Sequence, residues 1–191
     1  METLVQTREA PRATQPSGDE RTGGRLLAVK DLGVEFKTED GNVKVLSGLS
    51  LELERGEILA VVGESGSGKS VTALTIMRLL ASNAEVRSGT IDFDGVDLLK
   101  LQEPEMRKLR GGKIGMIFQD PMTALNPVMT IGAQLQESLQ VHLKLDPQAA
   151  EARAIELLSL VGIPDPKSRL SQYPHQFSGG MRQRVMIAIG L

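Results

Sequence analysis

The 191-residue sequence has no cysteine, which excludes disulfides, thiolate metal sites and a cysteine nucleophile. It also lacks an excess of either charge: 22 Lys and Arg stand against 24 Asp and Glu, a formal net charge of −2. Nucleic-acid binders usually carry a strong basic surplus, so the overall balance does not point to DNA or RNA. No apolar run approaches the roughly 18 residues that a membrane-spanning helix requires. The opening stretch, residues 1–24, has none of the apolar core of an export signal, and its location is expected to be cytoplasmic. Its Pro, Gly, Thr and charged residues read as a disordered tail with too little apolar surface to offset its ordering entropy. The chain, 40% hydrophobic and 24% charged, is long enough for one domain with a core and too short for two full domains.

Structure is expected from Leu26 onward. Leu27 and Val29, then Leu32, Val34 and Phe36, recur at every second position, as do Leu49, Leu51 and Leu53. That period marks strands with one solvated face, as in antiparallel sheets. Glu39, Asp40, Gly41 and Asn42 supply turn chemistry between them. Residues 58–62 (ILAVV) and 114–118 (IGMIF) are instead almost continuously apolar, the pattern of strands buried on both faces of a parallel sheet. Residues 70–80 between them read as a helix, with Val71, Leu74 and Met77, or Ala73, Ile76 and Leu80, at helical spacing. The predicted fold class is α/β, an antiparallel N-terminal β layer beside a P-loop core. Helices are expected beyond Phe118. Ile131, Leu135, Leu139 and His142 line one face, Asp146 and Pro147 open the next helix, and Gly162 ends it. Residues 163–176 form a Pro-rich connector.

The segment Gly63, Glu64, Ser65, Gly66, Ser67, Gly68, Lys69, Ser70 matches G-x-x-x-x-G-K-S between a predicted strand and a predicted helix. Gly63, Gly66 and Gly68 let the backbone curl so that successive N–H groups converge on phosphate oxygens. The helix that begins there, through Val71, adds its N-terminal partial charge. Lys69 would reach the β- and γ-phosphates and the Ser70 hydroxyl would ligate Mg²⁺. The expected ligand is a nucleoside triphosphate.

Residues 177–185 (FSGGMRQRV) pair a capping Ser178 with Gly179 and Gly180 at the start of an amphipathic helix, a second place where phosphate can approach free N–H groups. This segment resembles the signature motif of the ATP-binding cassette (ABC) ATPases, commonly LSGGQ, and departs from it at Phe177 and Met181. The resemblance implies that Ser178, Gly179 and Gly180 act in trans on a phosphate held by a partner's P-loop, so that the working unit is a dimer. It also implies that Gln119, after the apolar run at 114–118, is the Q-loop glutamine, a ligand for Mg²⁺ or a positioner of water and a sensor of the transmembrane partner. Phe36 lies where the family stacks an aromatic on adenine, although it could equally be a core residue of its strand. Val45 would pack beside the base.

Gln119 and Ser178 are 178 − 119 = 59 positions apart, without the long heptads that chromosome-maintenance members of the superfamily insert. The basic group Arg107, Lys108, Arg110 and Lys113 reads as a solvated face. The stretches ESGSGKSVTAL, FQDPMTALNPVMTIG and YPHQFSGGMRQRVMIAI are similar to the peptide-importer group, which takes up dipeptides, oligopeptides, glutathione or nickel. That similarity implies ATP and Mg²⁺ as cofactors and a peripheral location on the cytoplasmic face of the membrane. The implied partners are a second ATPase subunit, transmembrane permease subunits and, indirectly, an extracytoplasmic solute-binding protein; nucleic acid is not among them. The domain organisation expected is a tail (1–24) and a partial ABC ATPase domain (25–191). Residues 25–118 form its β layer and P-loop core, and residues 119–191 its Q-loop, helical subdomain and signature helix.

The family continues past its signature helix to an apolar strand ending in Asp-Glu and later to a switch histidine. Neither occurs within the 191 residues, since Asp92 and Asp120 do not belong to an Asp-Glu pair after an apolar strand. The expectation is a fragment of an importer ATPase with impaired hydrolysis, which leaves unpaired strand edges and apolar faces exposed. The alternative is a nucleotide-binding module that binds ATP or partner subunits without turnover. A DNA-repair type of ATPase is disfavoured by the spacing. His142 is expected to be a packed core or interface residue and His175 to lie in a loop. Neither has a second ligand at metal spacing, so no metal other than Mg²⁺ is expected.

Overall fold

The computed structural model describes residues 5–7, 24–120 and 124–191. The chain divides into two compact units, Met1–Met106 and Arg107–Leu191. In chain order the first contains β1 (Val5–Thr7), β2 (Arg25–Thr38), β3 (Gly41–Glu54), β4 (Leu59–Val61), α1 (Lys69–Ile76), β5 (Ala84–Phe93) and β6 (Val96–Asp97). Helix α2 (Glu103–Leu109) crosses the division. The second contains α3 (Ile131–Leu143), α4 (Pro147–Leu160), α5 (Pro166–Arg169), a 3₁₀ turn (Pro174–Gln176) and α6 (Gly179–Gly190).

The first unit is built on an antiparallel sheet in the order β3-β2-β5-β6. Strands β2 and β3 form the expected hairpin, closed where Thr38 faces Gly41 across Glu39 and Asp40. The apolar alternation slips by one between Val29 and Leu32, and the structure gives the reason. Asp31 bulges out in the left-handed region (φ 48°), and its N–H donates to Ser50 Oγ at 2.9 Å, a device that turns the next side chains back to the core face. Gly89 of β5 passes beside this bulge with φ 94°. A Cβ there would stand 2.5 Å from Lys30 O and 2.6 Å from Leu32 Cα, so only glycine lets the strands approach. Val29, Leu32, Val34, Ile91, Leu98 and Met106 are fully buried in this unit.

Three expectations are corrected here. Residues 58–62 yield only the three-residue β4, and its partner is antiparallel: Val5, Gln6 and Thr7 face Val61, Ala60 and Leu59. Ile58 and Val62 at its ends are 67% and 51% exposed, not buried on both faces. Residues 114–118 form no strand; Ile114 makes a single bridge to Arg110, while Ile117 and Phe118 are exposed. An apolar run becomes a buried strand only when neighbours on both sides take up its backbone groups, and among the described residues no strand lies beside 114–118. The helix expected over 70–80 ends at Ile76. Arg78 turns left-handed (φ 51°), Leu79 N–H returns to Leu74 O at 2.8 Å and Arg78 N–H to Thr75 O at 3.0 Å, the double closure of a Schellman stop. The Arg78 guanidinium, bonded to Leu98 O and Leu101 O, holds this non-glycine residue there.

Of the stretch expected to be a tail, 5–7 form β1, and residues 1–4 and 8–23 lie outside the described residues. So do Pro121, Met122 and Thr123 within the segment similar to the peptide importers.

The second unit has its own core, made by Ile131, Leu135 and Leu139 of α3, Ala150, Ala154, Leu157 and Leu158 of α4, and Val185, Met186 and Ala188 of α6. Local chemistry fixes the helix ends. Thr130 Oγ1 accepts from Ala133 N–H at 3.2 Å and Asp146 Oδ1 from Ala149 N–H at 2.8 Å, ahead of Pro147 at the first helical turn. Gly162 (φ 72°) closes α4, with Ile163 N–H returning to Leu158 O at 2.9 Å. His142, expected as a packed core or interface residue, is not in the core: it is exposed on the last turn of α3. Its ring lies against Gly111, where a Cβ would stand 2.5 Å from Nε2.

Candidate nucleotide-binding site

The loop at residues 63–70 joins β4 to α1, and its conformation depends on its glycines. Gly66 and Gly68 are left-handed, φ 84° and 90°. At Gly68 the constraint is double, because a Cβ would also meet Leu46 Cδ2 at 2.5 Å and Val45 O at 3.3 Å. At Gly63 a Cβ would stand 2.6 Å from Ser67 Oγ. The loop therefore closes tightly on itself, with Ser67 N–H donating to Glu64 O at 3.2 Å. Glu64, Ser65 and Gly66 are exposed along its rim.

Lys69 folds back across this loop. Its Nζ donates to Gly63 O at 2.8 Å, to Glu64 O at 2.6 Å and to Ser67 Oγ at 3.2 Å. Thr72, buried, anchors the first turn of α1 by donating both N–H (2.8 Å) and hydroxyl (3.0 Å) to Gly68 O. The N–H groups of Lys69, Ser70 and Val71 open the helix and have no carbonyl of their own helix to reach. Ser70 is exposed and Val71 half-buried. An ammonium held over a left-handed turn whose amides open a helix is a donor set that fits a polyphosphate.

Phe36 and Val45 lie on the β2–β3 hairpin. Phe36 is half-buried and faces Val43 on one side and Ala84 on the other. Val45 is half-buried at a bulge between the pairs Val34–Leu46 and Glu35–Lys44. Its carbonyl lies 3.3 Å from where a Cβ on Gly68 would stand, so the hairpin supports the end of the phosphate loop through backbone as well as through Leu46. Leu46 and Thr72 were not singled out by the sequence reading. Their only signal is an apolar residue in strand register and a β-branched residue four positions after Gly68.

The remaining candidates belong to the second unit. Gln119 is exposed beyond the apolar run. Ser178 caps α6 as expected, its Oγ accepting from Met181 N–H at 3.3 Å. Gly179 and Gly180 have ordinary φ, and a Cβ on either would meet nothing within 4 Å among the described residues. The departures from the common signature letters are explained by packing: Phe177 is 3% exposed in the helical core, and Met181 packs against that core from its edge. His175 stacks on Tyr173, ring centroids 5.7 Å apart, just before the signature.

Strand, left-handed glycine loop, lysine and helix together define a P-loop nucleotide-binding fold of the α/β class. Residues 46–191 match the model of the family described as ABC transporter, and the chain belongs to that family. It is 55% identical over 168 residues to the oligopeptide transport ATP-binding protein OppD of Bacillus subtilis (strain 168), covering 87% of this chain and 47% of that protein. It is 46% identical over 188 residues to OppD of Escherichia coli (strain K12), covering 98% and 54%. The chain thus spans about half the length of the curated relatives it matches. Among solved structures, the ATP-binding cassette MJ0796, in a dimeric post-hydrolysis state bound to ADP and Pi, superposes with a TM-score of 0.75 at 27% identity, covering 87% of this chain and 69% of that one.

Proposed function

We propose that this chain is the nucleotide-binding part of an ATP-binding subunit of an ABC importer, coupling ATP binding and hydrolysis to uptake of peptides or related small solutes. The observation that carries the reading is the phosphate loop, in which Lys69 spans the turn that Gly66 and Gly68 hold left-handed. In this reading the amides of residues 63–71 bind the phosphates of ATP, and Lys69 exchanges its bonds to Gly63 O and Glu64 O for β- and γ-phosphate oxygens. Ser70 would ligate Mg²⁺, as Gln119 would by the family resemblance, and the ion would supply neutralisation of phosphate charge. Phe36 stacks on the base with Val45 beside it.

Ser178, Gly179 and Gly180 complete a second subunit's site in trans, and the open space around the two glycines supports this assignment. Their lack of side chains is not demanded by the packing of their own unit, which supports a ligand arriving from outside. The relatives' names support peptide transport, hence permease partners, an extracytoplasmic solute-binding protein acting through them, and a peripheral position at the cytoplasmic face of the membrane.

A second reading is a nucleotide-binding module that binds ATP or partner subunits without turnover. Equilibrium binding of a fluorescent ATP analogue to the wild-type chain and to Lys69→Ala tests the shared part of both readings. Saturable binding to the wild type that Lys69→Ala removes is the expected result; equal binding by the two proteins would refute the site. Phosphate release from the same preparations separates the readings, because only the first includes turnover at a rate that Lys69→Ala reduces.

A further inference from the structure

Helix α6 carries two arginines, and both are spent on backbone carbonyls. Arg184 Nη1 donates to Gly162 O at 2.9 Å and Val161 O at 3.4 Å, so it caps the end of α4, where a cation is favoured by the helix dipole. Arg182 reaches in the other direction. Its Nη1 donates to Phe177 O at 2.9 Å and Pro174 O at 3.3 Å, and its Nε is buried without a partner among the described residues. An arginine kept partly desolvated, with one donor unsatisfied, has a cost, and the carbonyls it holds indicate what it secures.

Phe177 O belongs to the peptide bond that joins Phe177 to Ser178. In a trans peptide the carbonyl and the N–H point in opposite directions. A guanidinium fixed on Phe177 O therefore also fixes the direction of the Ser178 N–H. Phe177 cannot turn independently, because its ring is buried in the helical core. Pro174 O anchors the preceding 3₁₀ turn to the same guanidinium, and Gln176 Oε1 closes that turn by accepting from Tyr173 N–H at 2.8 Å. The Ser178 hydroxyl, by contrast, holds Met181 N–H only at 3.3 Å. The clamp on the signature turn is thus provided mainly by Arg182.

We propose that Arg182 is a positioning residue for phosphate recognition by the Ser178–Gly180 turn: by holding Phe177 O and Pro174 O it presets the amides of that turn for an anion, without touching the anion itself. The proposal rests on the reading of Ser178, Gly179 and Gly180 as a phosphate site, and its test is independent of ATP binding at Lys69.

The experiment is a titration of the ¹⁵N-labelled full chain with inorganic phosphate, read at the Ser178, Gly179 and Gly180 amides, for wild type, Arg182→Met, Arg182→Lys and Arg184→Met. The expected result is a saturable shift in the wild type, weakened about tenfold in Arg182→Met as a pair of charge-assisted bonds is lost. Arg182→Lys recovers part of the affinity and Arg184→Met leaves it unchanged. Melting temperatures of the same proteins give the readout of a merely structural role: a fall in Arg182→Met with an unchanged phosphate response would overturn the proposal. If Arg182→Met does not fold, Arg182→Lys carries the test, and a response identical to wild type overturns it. Absence of any wild-type shift at these amides also overturns it, while the ATP site remains separately judged by Lys69→Ala.

Discussion

The chain contains two glycine-led helix starts, and they are built in opposite ways. At the phosphate loop the glycines are demanded from within: Gly66 and Gly68 are left-handed, Gly68 abuts Leu46, and Gly63 abuts Ser67. At the signature turn the backbone is ordinary, nothing crowds Gly179 or Gly180, and rigidity comes from outside the glycines, through Arg182 on Phe177 O and Pro174 O. The same residue type therefore has two physical meanings. In the first turn glycine permits a backbone shape; in the second it keeps a surface bare.

The comparison can be broken most forcefully at its charged centre. Lys69→Ala is expected to lower ATP affinity by about 100-fold, since it removes charge-assisted bonds that contribute about 1.5–3 kcal/mol each. Isothermal titration measures this, and a melting temperature close to wild type distinguishes lost binding from lost folding. Next in size is Gly68→Ala, expected to destabilise the first unit by about 2–3 kcal/mol through left-handed strain and the collision with Leu46, as read from urea denaturation.

Caps provide a finer gauge. Asp146→Ala should cost about 1 kcal/mol, the usual worth of an N-cap. Ser178→Ala should cost less, about 0.5 kcal/mol, because its cap bond is longer, 3.3 Å against 2.8 Å. The smallest effect on stability belongs to Gly179→Ala and Gly180→Ala, within about 0.5 kcal/mol of wild type, since alanine is the better helix former and meets no neighbour.

What could be read from the sequence follows the range of the interactions. The phosphate loop, the caps at Asp146 and Ser178 and the stop at Gly162 were legible because each is decided within about one turn of chain. The end of α1 was not, because Arg78 takes its left-handed conformation with help from Leu98 O and Leu101 O, some twenty residues away. The bulge at Asp31 was present in the sequence as a slip in the alternation, but the neighbours that accommodate it, Ser50 Oγ and Gly89 on the flanking strands, were not. Residues 58–62 and 114–118 misled for a related reason: an apolar run records a preference for burial, and only neighbouring strands convert that preference into a sheet. The arginine clamps had no sequence signal, since both end on carbonyls, which every residue has.

The most direct test of the contrast between the two turns is a paired measurement on Gly180→Ala. The melting temperature and the ATP-dependent self-association of the chain, by analytical ultracentrifugation, are compared with those of the wild type. The account predicts an unchanged melting temperature with loss of the association that ATP induces in the wild type. A melting temperature lowered as far as in Gly68→Ala, or association equal to wild type, would contradict it.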